Sequence, residues 1–192
     1  MKDSEFLRGD KVPMTKEEVR TIALDRLCLS KAKTLVDVGA GTGSVALEAA
    51  IRHPLLQVIA IEKNPAALSL IETNRTHFGC QNVEIVAAEA PCALPTQVDA
   101  VFVGGSGGNL TEIIDWSLAH LTDGGTFVLN FILLDNVTTA LNYLKTCHVS
   151  DLQCTQLQIS QLTTLGSGYY FKPNNPTFII SCQKEAIHAC EI

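Results

Sequence analysis

Eight residues early in the chain, Asp37-Val38-Gly39-Ala40-Gly41-Thr42-Gly43-Ser44, set three glycines at alternate positions behind a carboxylate. Glycine has no Cβ, so such a loop reaches backbone angles closed to other residues and lets a ligand approach the main chain. Helix formers from Ser44 to Arg52 follow directly, and a helix start carries unpaired N–H groups. Two further carboxylates suit the same ligand. Glu62 ends the apolar run Leu56-Gln57-Val58-Ile59-Ala60-Ile61. It lies about 20 residues beyond the loop, where an acid at the neighbouring strand tip accepts hydrogen bonds from ribose hydroxyls. Glu89 stands between Ala88 and Ala90 after a third run, Asn82 to Ala87. A glycine loop with acids at the next two strand ends is the arrangement of a nucleoside-bearing cofactor site.

The spacing bears on which cofactor. The dinucleotide fingerprint is G-x-G-x-x-G, and here Ser44 occupies its third glycine position, leaving D-x-G-x-G-x-G. A fourth group is Gly104-Gly105-Ser106-Gly107-Gly108-Asn109, which opens a helical stretch running to His120. Four glycines so close together are entropically expensive for a mere connection. Amides at a helix N-terminus suit a carboxylate, and the missing side chains leave room for a large flat substrate. None of the seven cysteines forms C-x-x-C, so no zinc or redox motif is present and no metal is expected. They read as reduced packing residues.

The elements that must position these groups alternate. Strand-like and helix-like stretches follow one another from Thr34 to Cys147, the pattern of a parallel sheet with crossover helices. Asn64-Pro65 starts a helix that continues from Ala66 to His77. Val98 to Val103 is the fourth strand. Gly125 to Phe131 is the fifth, introduced by an Asp123-Gly124 turn, and Leu134 to Cys147 is a helix. Two long strands, Leu152 to Leu165 and Thr177 to Cys182, are expected to form a terminal hairpin around residues 166–176. At the other end, Thr15-x-x-Glu18 reads as a capping box. It opens a helix with Val19, Ile22, Ala23 and Leu27 on one face. The extended stretch before it is expected to fold over the cofactor mouth as a lid, with Thr15 near the cofactor. The tail from Lys184 to Ile192 falls outside this pattern.

Composition agrees with a packed α/β protein. The chain has 192 residues, 46% hydrophobic and 18% charged, with a net charge of -6. No apolar run reaches membrane-spanning length. No leader-like segment opens the chain, so a cytoplasmic location is expected. The acidic balance argues against a general nucleic-acid surface, which needs basic patches.

The loop from Asp37 to Gly43 resembles motif I of class I S-adenosylmethionine-dependent methyltransferases. Together with Val12-Pro13-Met14-Thr15-Lys16-Glu17-Glu18-Val19-Arg20 and Val103-Gly104-Gly105-Ser106-Gly107-Gly108, in this order and spacing, it resembles the decarboxylating precorrin C-15 methyltransferases of cobalamin biosynthesis. The resemblance covers residues 3 to about 184. It implies a Rossmann-like, seven-stranded, mostly parallel sheet with an antiparallel last strand. The implied single domain has an N-terminal lid and helix (1–30), a cofactor-binding core (31–147) and a C-terminal hairpin (148–184). It also implies S-adenosyl-L-methionine held by Thr15, Asp37, Gly39, Ala40, Gly41, Thr42, Gly43, Glu62, Glu89 and Ala90. Glu89 departs from the family, which more often has Asp there.

The implied substrate is a tetrapyrrole, cobalt-precorrin-6B, methylated at C-15 with decarboxylation of the ring-C acetate. Gly104, Gly105, Ser106, Gly107, Gly108, Arg8 and Arg20 would hold it, with Lys11 and Lys172 as further cations and Tyr169 and Tyr170 against the macrocycle. The family also implies a homotetramer, with Phe131 to Leu134 or the hairpin as interface. Other readings stay open. A class I methyltransferase could act on RNA or another small molecule; the absence of Asn-Pro-Pro-Tyr disfavours amine methylation. Pro91-Cys92 resembles a cytosine methyltransferase nucleophile but follows the third strand, away from the expected chemistry. A nicotinamide-dependent oxidoreductase is disfavoured by Ser44 and the terminal hairpin, and a pure binding module by the open loop beside the cofactor cradle.

Overall fold

The computed structural model describes residues 1–94 and 97–186; most of the expected tail, with Cys190, lies outside them. The alternation becomes α1 (Glu17–Arg26), β1 (Thr34–Val38), α2 (Ser44–Arg52), β2 (Gln57–Glu62), α3 (Pro65–Phe78) and β3 (Val83–Ala87). It continues through β4 (Val98–Val103), α4 (Leu110–His120), β5 (Leu121–Phe131) and α5 (Leu134–Leu144). The last four strands are β6 (Val149–Leu157), β7 (Ser160–Leu165), β8 (Gly168–Pro173) and β9 (Thr177–Lys184). Seven strands form one sheet in the order β3-β2-β1-β4-β5-β9-β6. β9 runs antiparallel to both neighbours, and the pairs from β3 across to β5 are parallel. Among the described residues no helix is long and apolar enough to cross a membrane.

Strand alternation sorts the core into two layers. Leu35, Val58, Ala60, Phe102, Val128 and Ile179 pack on one face beneath Ala23 and Leu27 of α1 and Leu47 of α2. Val36, Val38, Val101, Leu129 and Ile180 face the other way, against Ile113 and Ile114 of α4 and Val137, Ala140 and Leu144 of α5. A sheet covered on both sides leaves only the strand ends open. All the parallel strands present their carboxyl ends to the same edge, where the crevice of a doubly wound sheet lies.

Three expectations are corrected. The long strand from Leu152 to Leu165 breaks after Leu157. The β6–β9 ladder stops at Leu157 opposite Thr177, because Pro176 before it has no N–H to extend the pairing. Ser160–Leu165 folds back on Gly168–Pro173 instead, turning at Gly166 with φ +59°. The two-stranded ribbon leaves Leu162, Leu165, Tyr169 and Phe171 exposed. The Asp123-Gly124 turn is absorbed into β5, where Thr122 to Gly125 bulge opposite Asp99 alone. The capping box does not form: Lys16 is the N-cap of α1, with no side-chain cap hydrogen bond.

Arg20 gives the reason for the last change. It is fully buried, and its guanidinium donates to the Thr15 carbonyl at 2.5 Å, to Asp3 Oδ1 at 3.2 Å and to the Met1 carbonyl at 2.7 Å. Its Nε donates to Glu48 Oε2 of α2 at 2.5 Å. Thr15 is therefore held through its backbone. Glu48, 1% exposed, also accepts from the Met1 ammonium at 2.7 Å and from Arg52. Arg20 thus pins the N-terminal strap onto α2, which overturns its expected role as a substrate contact: no part of it reaches solvent.

Removing one partner of this pair leaves a buried charge uncompensated. Glu48→Gln is expected to cost about 3–5 kcal/mol, read as a lower urea midpoint. Burial pushes the Glu48 carboxyl up, but the Met1 ammonium, Arg20 and Arg52 together outweigh it and hold the group below its usual 4.5. Its contribution is therefore present above pH 4.5 and lost as pH falls through the lowered folded value. Glu48→Gln should erase that part of the acid-side loss of stability.

Candidate functional site

β1 delivers the glycine loop to the open edge, and each of its three glycines is required by a different neighbour. Gly39 has φ +72°, and a Cβ there would lie 3.0–3.2 Å from the backbone of Gly105. The loops after β1 and β4 therefore pack main chain to main chain, with Gly104 N–H donating to the Val38 carbonyl at 2.9 Å. Gly41 has φ +57°, and its Cβ would stand 2.6 Å from the Pro13 carbonyl oxygen. That oxygen accepts from Thr42 N–H at 3.3 Å, so the N-terminal strap lies directly on the loop. Gly43 has φ +78° and abuts the Ile71 side chain of α3.

The loop amides are already used. Gly39 and Ala40 N–H donate to the Ile61 carbonyl at 2.9 and 3.1 Å. Gly41 N–H donates to Glu62 Oε2 at 2.9 Å, and Gly43 N–H to the Ala40 carbonyl at 2.8 Å. With Thr42 on Pro13, every amide from Gly39 to Gly43 has a protein partner. A pyrophosphate needs those amides free. The loop therefore shapes a wall and does not cradle phosphate, which counts against the dinucleotide reading.

The three acids are held differently. Glu62, at the tip of β2, accepts from Gly41 N–H on Oε2 and from Lys63 and Asn64 N–H on Oε1 at 2.9 and 2.8 Å. A carboxylate has about four lone-pair sites, so one acceptor position remains for a ligand hydroxyl. Glu89 is exposed and pairs with Lys63 across the mouth. Asp37, 1% exposed, lies beneath the loop. Its Oδ2 accepts from Ala46 N–H in the first turn of α2 at 3.0 Å, so it caps that helix from the preceding strand. Its Oδ1 is buried without a partner. Burial raises the Asp37 carboxyl to about 7; the Ala46 bond opposes this, and the nearby Glu62 charge adds to it.

These elements enclose a cavity of about 300 Å3 at the tips of β1, β2, β3 and β4. Of the residues expected to hold a cofactor, Gly39, Gly41, Glu62, Glu89 and Ala90 line it. Asp37, Ala40, Thr42 and Gly43 support it from below and are buried. Thr15 faces a different cavity. Gly104, Gly105, Ser106 and Gly107 form the β4 wall, and Gly108 falls outside it. Asn109 closes the corner, its side-chain N–H donating to the Ala90 carbonyl at 3.0 Å. Arg8, Lys11, Lys172, Tyr169 and Tyr170 are exposed and do not line it. Sequence reasoning missed Pro13, Lys63, Ala67 and Ile113. Lys63 had a signal, standing next to Glu62 at a strand tip. Ala67 and Ile113 had none beyond ordinary helix-face periodicity.

Comparison with known proteins places this geometry. Residues 6–184 match the model of the precorrin methyltransferase domain. A Salmonella typhimurium protein named cobalt-precorrin-6B C(15)-methyltransferase (decarboxylating) is 55% identical over 192 residues, covering the whole of both chains. The crystal structure of a precorrin-6y C5,15-methyltransferase from Geobacter metallireducens superposes with a TM-score of 0.88 at 35% identity, over 96% of this chain and 97% of that one. A Methanobacterium thermoautotrophicum structure described as precorrin 8W decarboxylase gives 0.86 at 34% identity, over 94% and 98%.

Two outcomes follow from the geometry. Gly39→Ala must strain φ and crowd the β4 loop, so calorimetry should find S-adenosylhomocysteine binding about 5- to 150-fold weaker, the equivalent of roughly 1–3 kcal/mol for a strained backbone position. Asp37 has an ordinary value of 3.8 and a folded value of about 7, so the native state binds the extra proton between them. Its contribution makes free-protein stability fall as pH rises through that window and level off above it. Asp37→Asn should remove that slope in urea titrations from pH 5 to 8.

Proposed function

The chain belongs to the precorrin methyltransferase domain family, and on that premise we propose that it methylates cobalt-precorrin-6B at C-15 using S-adenosyl-L-methionine. The carboxyl group of the ring-C acetate leaves as carbon dioxide and the CH2 left behind takes up a proton to become a methyl group, giving cobalt-precorrin-7 in anaerobic cobalamin biosynthesis. One observation carries the reading: identity of 55% over the full length of both chains with a relative named for that reaction. The site supports it. Among the described residues Glu62 and Glu89 are the acids that line the cavity, and its one lining cation, Lys63, is paired with Glu89. Glu62 accepts only from backbone N–H groups among the described residues, so this lining is short of positive charge. A ligand that carries an ammonium and a sulfonium fits such a field; one that carries phosphates does not.

When bound, S-adenosylmethionine supplies an electrophilic methyl group. The protein's own work is binding and orientation. Glu62 accepts from a ribose hydroxyl, and Glu89, Ala88 and Ala90 border the adenine with Ile113 as an apolar wall. The β4 loop contributes little but backbone from Gly104 to Gly107, so a flat macrocycle can come close to the donor. The conjugated ring is itself the nucleophile, and no lining side chain is needed as a base. We also assign a cytoplasmic location, a single methyltransferase domain and a homotetramer. The exposed apolar Ile132, Leu133 and Leu134 and the β7–β8 ribbon offer the surface such an assembly would cover.

Incubation with cobalt-precorrin-6B and methyl-labelled S-adenosylmethionine should yield labelled product and one carbon dioxide per methyl transferred. Transfer without decarboxylation, or none at all, overturns the reading. Glu62→Ala should weaken S-adenosylhomocysteine by about 1–3 kcal/mol, the range for losing a partner of a buried polar group.

A further inference from the structure

A second cavity, of about 330 Å3, opens along the same edge of the sheet. The strap separates the two: Pro13 lines the first, while Met14, Thr15 and Lys16 line the second. Register sets how close they are. Val103 of β4 pairs with Leu129 of β5, so Gly104 and Asn130 stand side by side at neighbouring strand ends, about 4.8 Å apart. Gly104 belongs to the first cavity and Asn130 to the second. The place where a methyl group would be delivered is thus one strand away from an opening that the methyl donor's site does not use.

The lining of this second cavity differs from the rest of the molecule. In a chain with 20 acidic and 14 basic residues, no acid among the described residues lines it. Its polar groups are Lys16, Asn130, Asn174, Asn175 and the hydroxyls of Thr15 and Thr177. Lys16 Nζ is 3.4 Å from Asp3, which it shares with Arg20, and it is 41% exposed. Such a pair is weak and easily exchanged for another anion. Asn130 Oδ1 is shut off from solvent with no partner. No hydrogen bond among the described residues fixes which end of that amide faces the opening, and it can turn its N–H2 toward an acceptor. The loop carrying Asn174 is pinned by its backbone, N–H to the Ile159 carbonyl at 2.8 Å and carbonyl to Gln158 at 3.1 Å. Its side-chain amide makes no hydrogen bond among the described residues. The N-terminus of α1 has no side-chain cap and also faces this cavity through Lys16 and Val19, adding a partial positive charge.

We propose that this second cavity is the seat of one carboxylate-bearing arm of the substrate macrocycle, held by Lys16 and Asn130. The proposal rests on the methyltransferase reading above and extends it. The ring would lie over the glycine loop after β4, one arm entering the neighbouring opening. That anchorage orients the ring so that one carbon faces the donor, and it discriminates among macrocycles by the arm they present there.

The test uses Asn130→Asp, an isosteric change that sets a negative charge in the cavity, and Lys16→Met, with Lys16→Arg as conservative rescue. Each is assayed for KM toward cobalt-precorrin-6B, KM toward S-adenosylmethionine and calorimetric binding of S-adenosylhomocysteine. The first two should raise the macrocycle KM about tenfold or more, as expected for losing a hydrogen bond to a charged group. S-adenosylhomocysteine binding should stay within about twofold, and Lys16→Arg should recover most of the loss. A macrocycle KM near wild type in both variants overturns the proposal, as does an equal rise in KM for S-adenosylmethionine. Failure of the wild type to turn over the macrocycle sinks the methyltransferase reading and this proposal together. Wild-type turnover with unaltered variants sinks the proposal alone.

Discussion

The site depends on the contact between two stretches of bare backbone. The loops after β1 and β4 meet at Gly39, where a Cβ would crowd the Gly105 backbone at 3.0–3.2 Å. Because β1 and β4 are neighbours in the sheet, this contact joins two walls of one cavity. The strap adds a second lock, since the Pro13 carbonyl sits where a side chain on Gly41 would project. Three segments far apart in sequence are therefore held in one mutual position by the absence of side chains. Cradling phosphate would require the same amides to point outward, and here they point inward to Ile61, Glu62 and Pro13.

That packing has an electrostatic consequence. Once the amides serve the loop, recognition falls to carboxylates and apolar walls. Asp37 holds the start of α2 with one oxygen and leaves the other unpaired in the interior, an arrangement that costs free energy in the empty protein. Glu62 divides its lone pairs between bracing the loop and facing the cavity. Asp37 thus braces the loop from beneath, and Glu62 both braces it and lines the cavity.

How much of this could be read from residue types alone varies with the physics involved. The parallel core was legible because its strands are buried on both faces and read as apolar runs between helix formers. The glycine loop and Glu62 were legible because their spacing is set by a strand, a turn and a helix of standard length. Arg20 was misread: its charge suggested a substrate contact, and only tertiary packing brings Glu48 of α2 and the Thr15 carbonyl to its guanidinium. Asp37 was placed in the right loop but not at the right depth. The break after Leu157 depends on Pro176 ending a ladder some twenty residues later in the chain, a long-range effect that local alternation does not record.

The strap connects these points. Arg20 anchors it to α2, and the strap in turn forms the partition between two openings on one sheet edge. That partition is tethered by a fully buried guanidinium with four hydrogen bonds. It keeps Pro13 against the glycine loop, while Lys16 lines the other opening and pairs with Asp3. An enzyme that must join a small cofactor to a large, many-armed ring gains little from closing over its substrate. It gains more from rigid walls at set separations, because the reacting atoms must meet in line. Spending a buried ion network on the strap, and not on the substrate, is consistent with that demand.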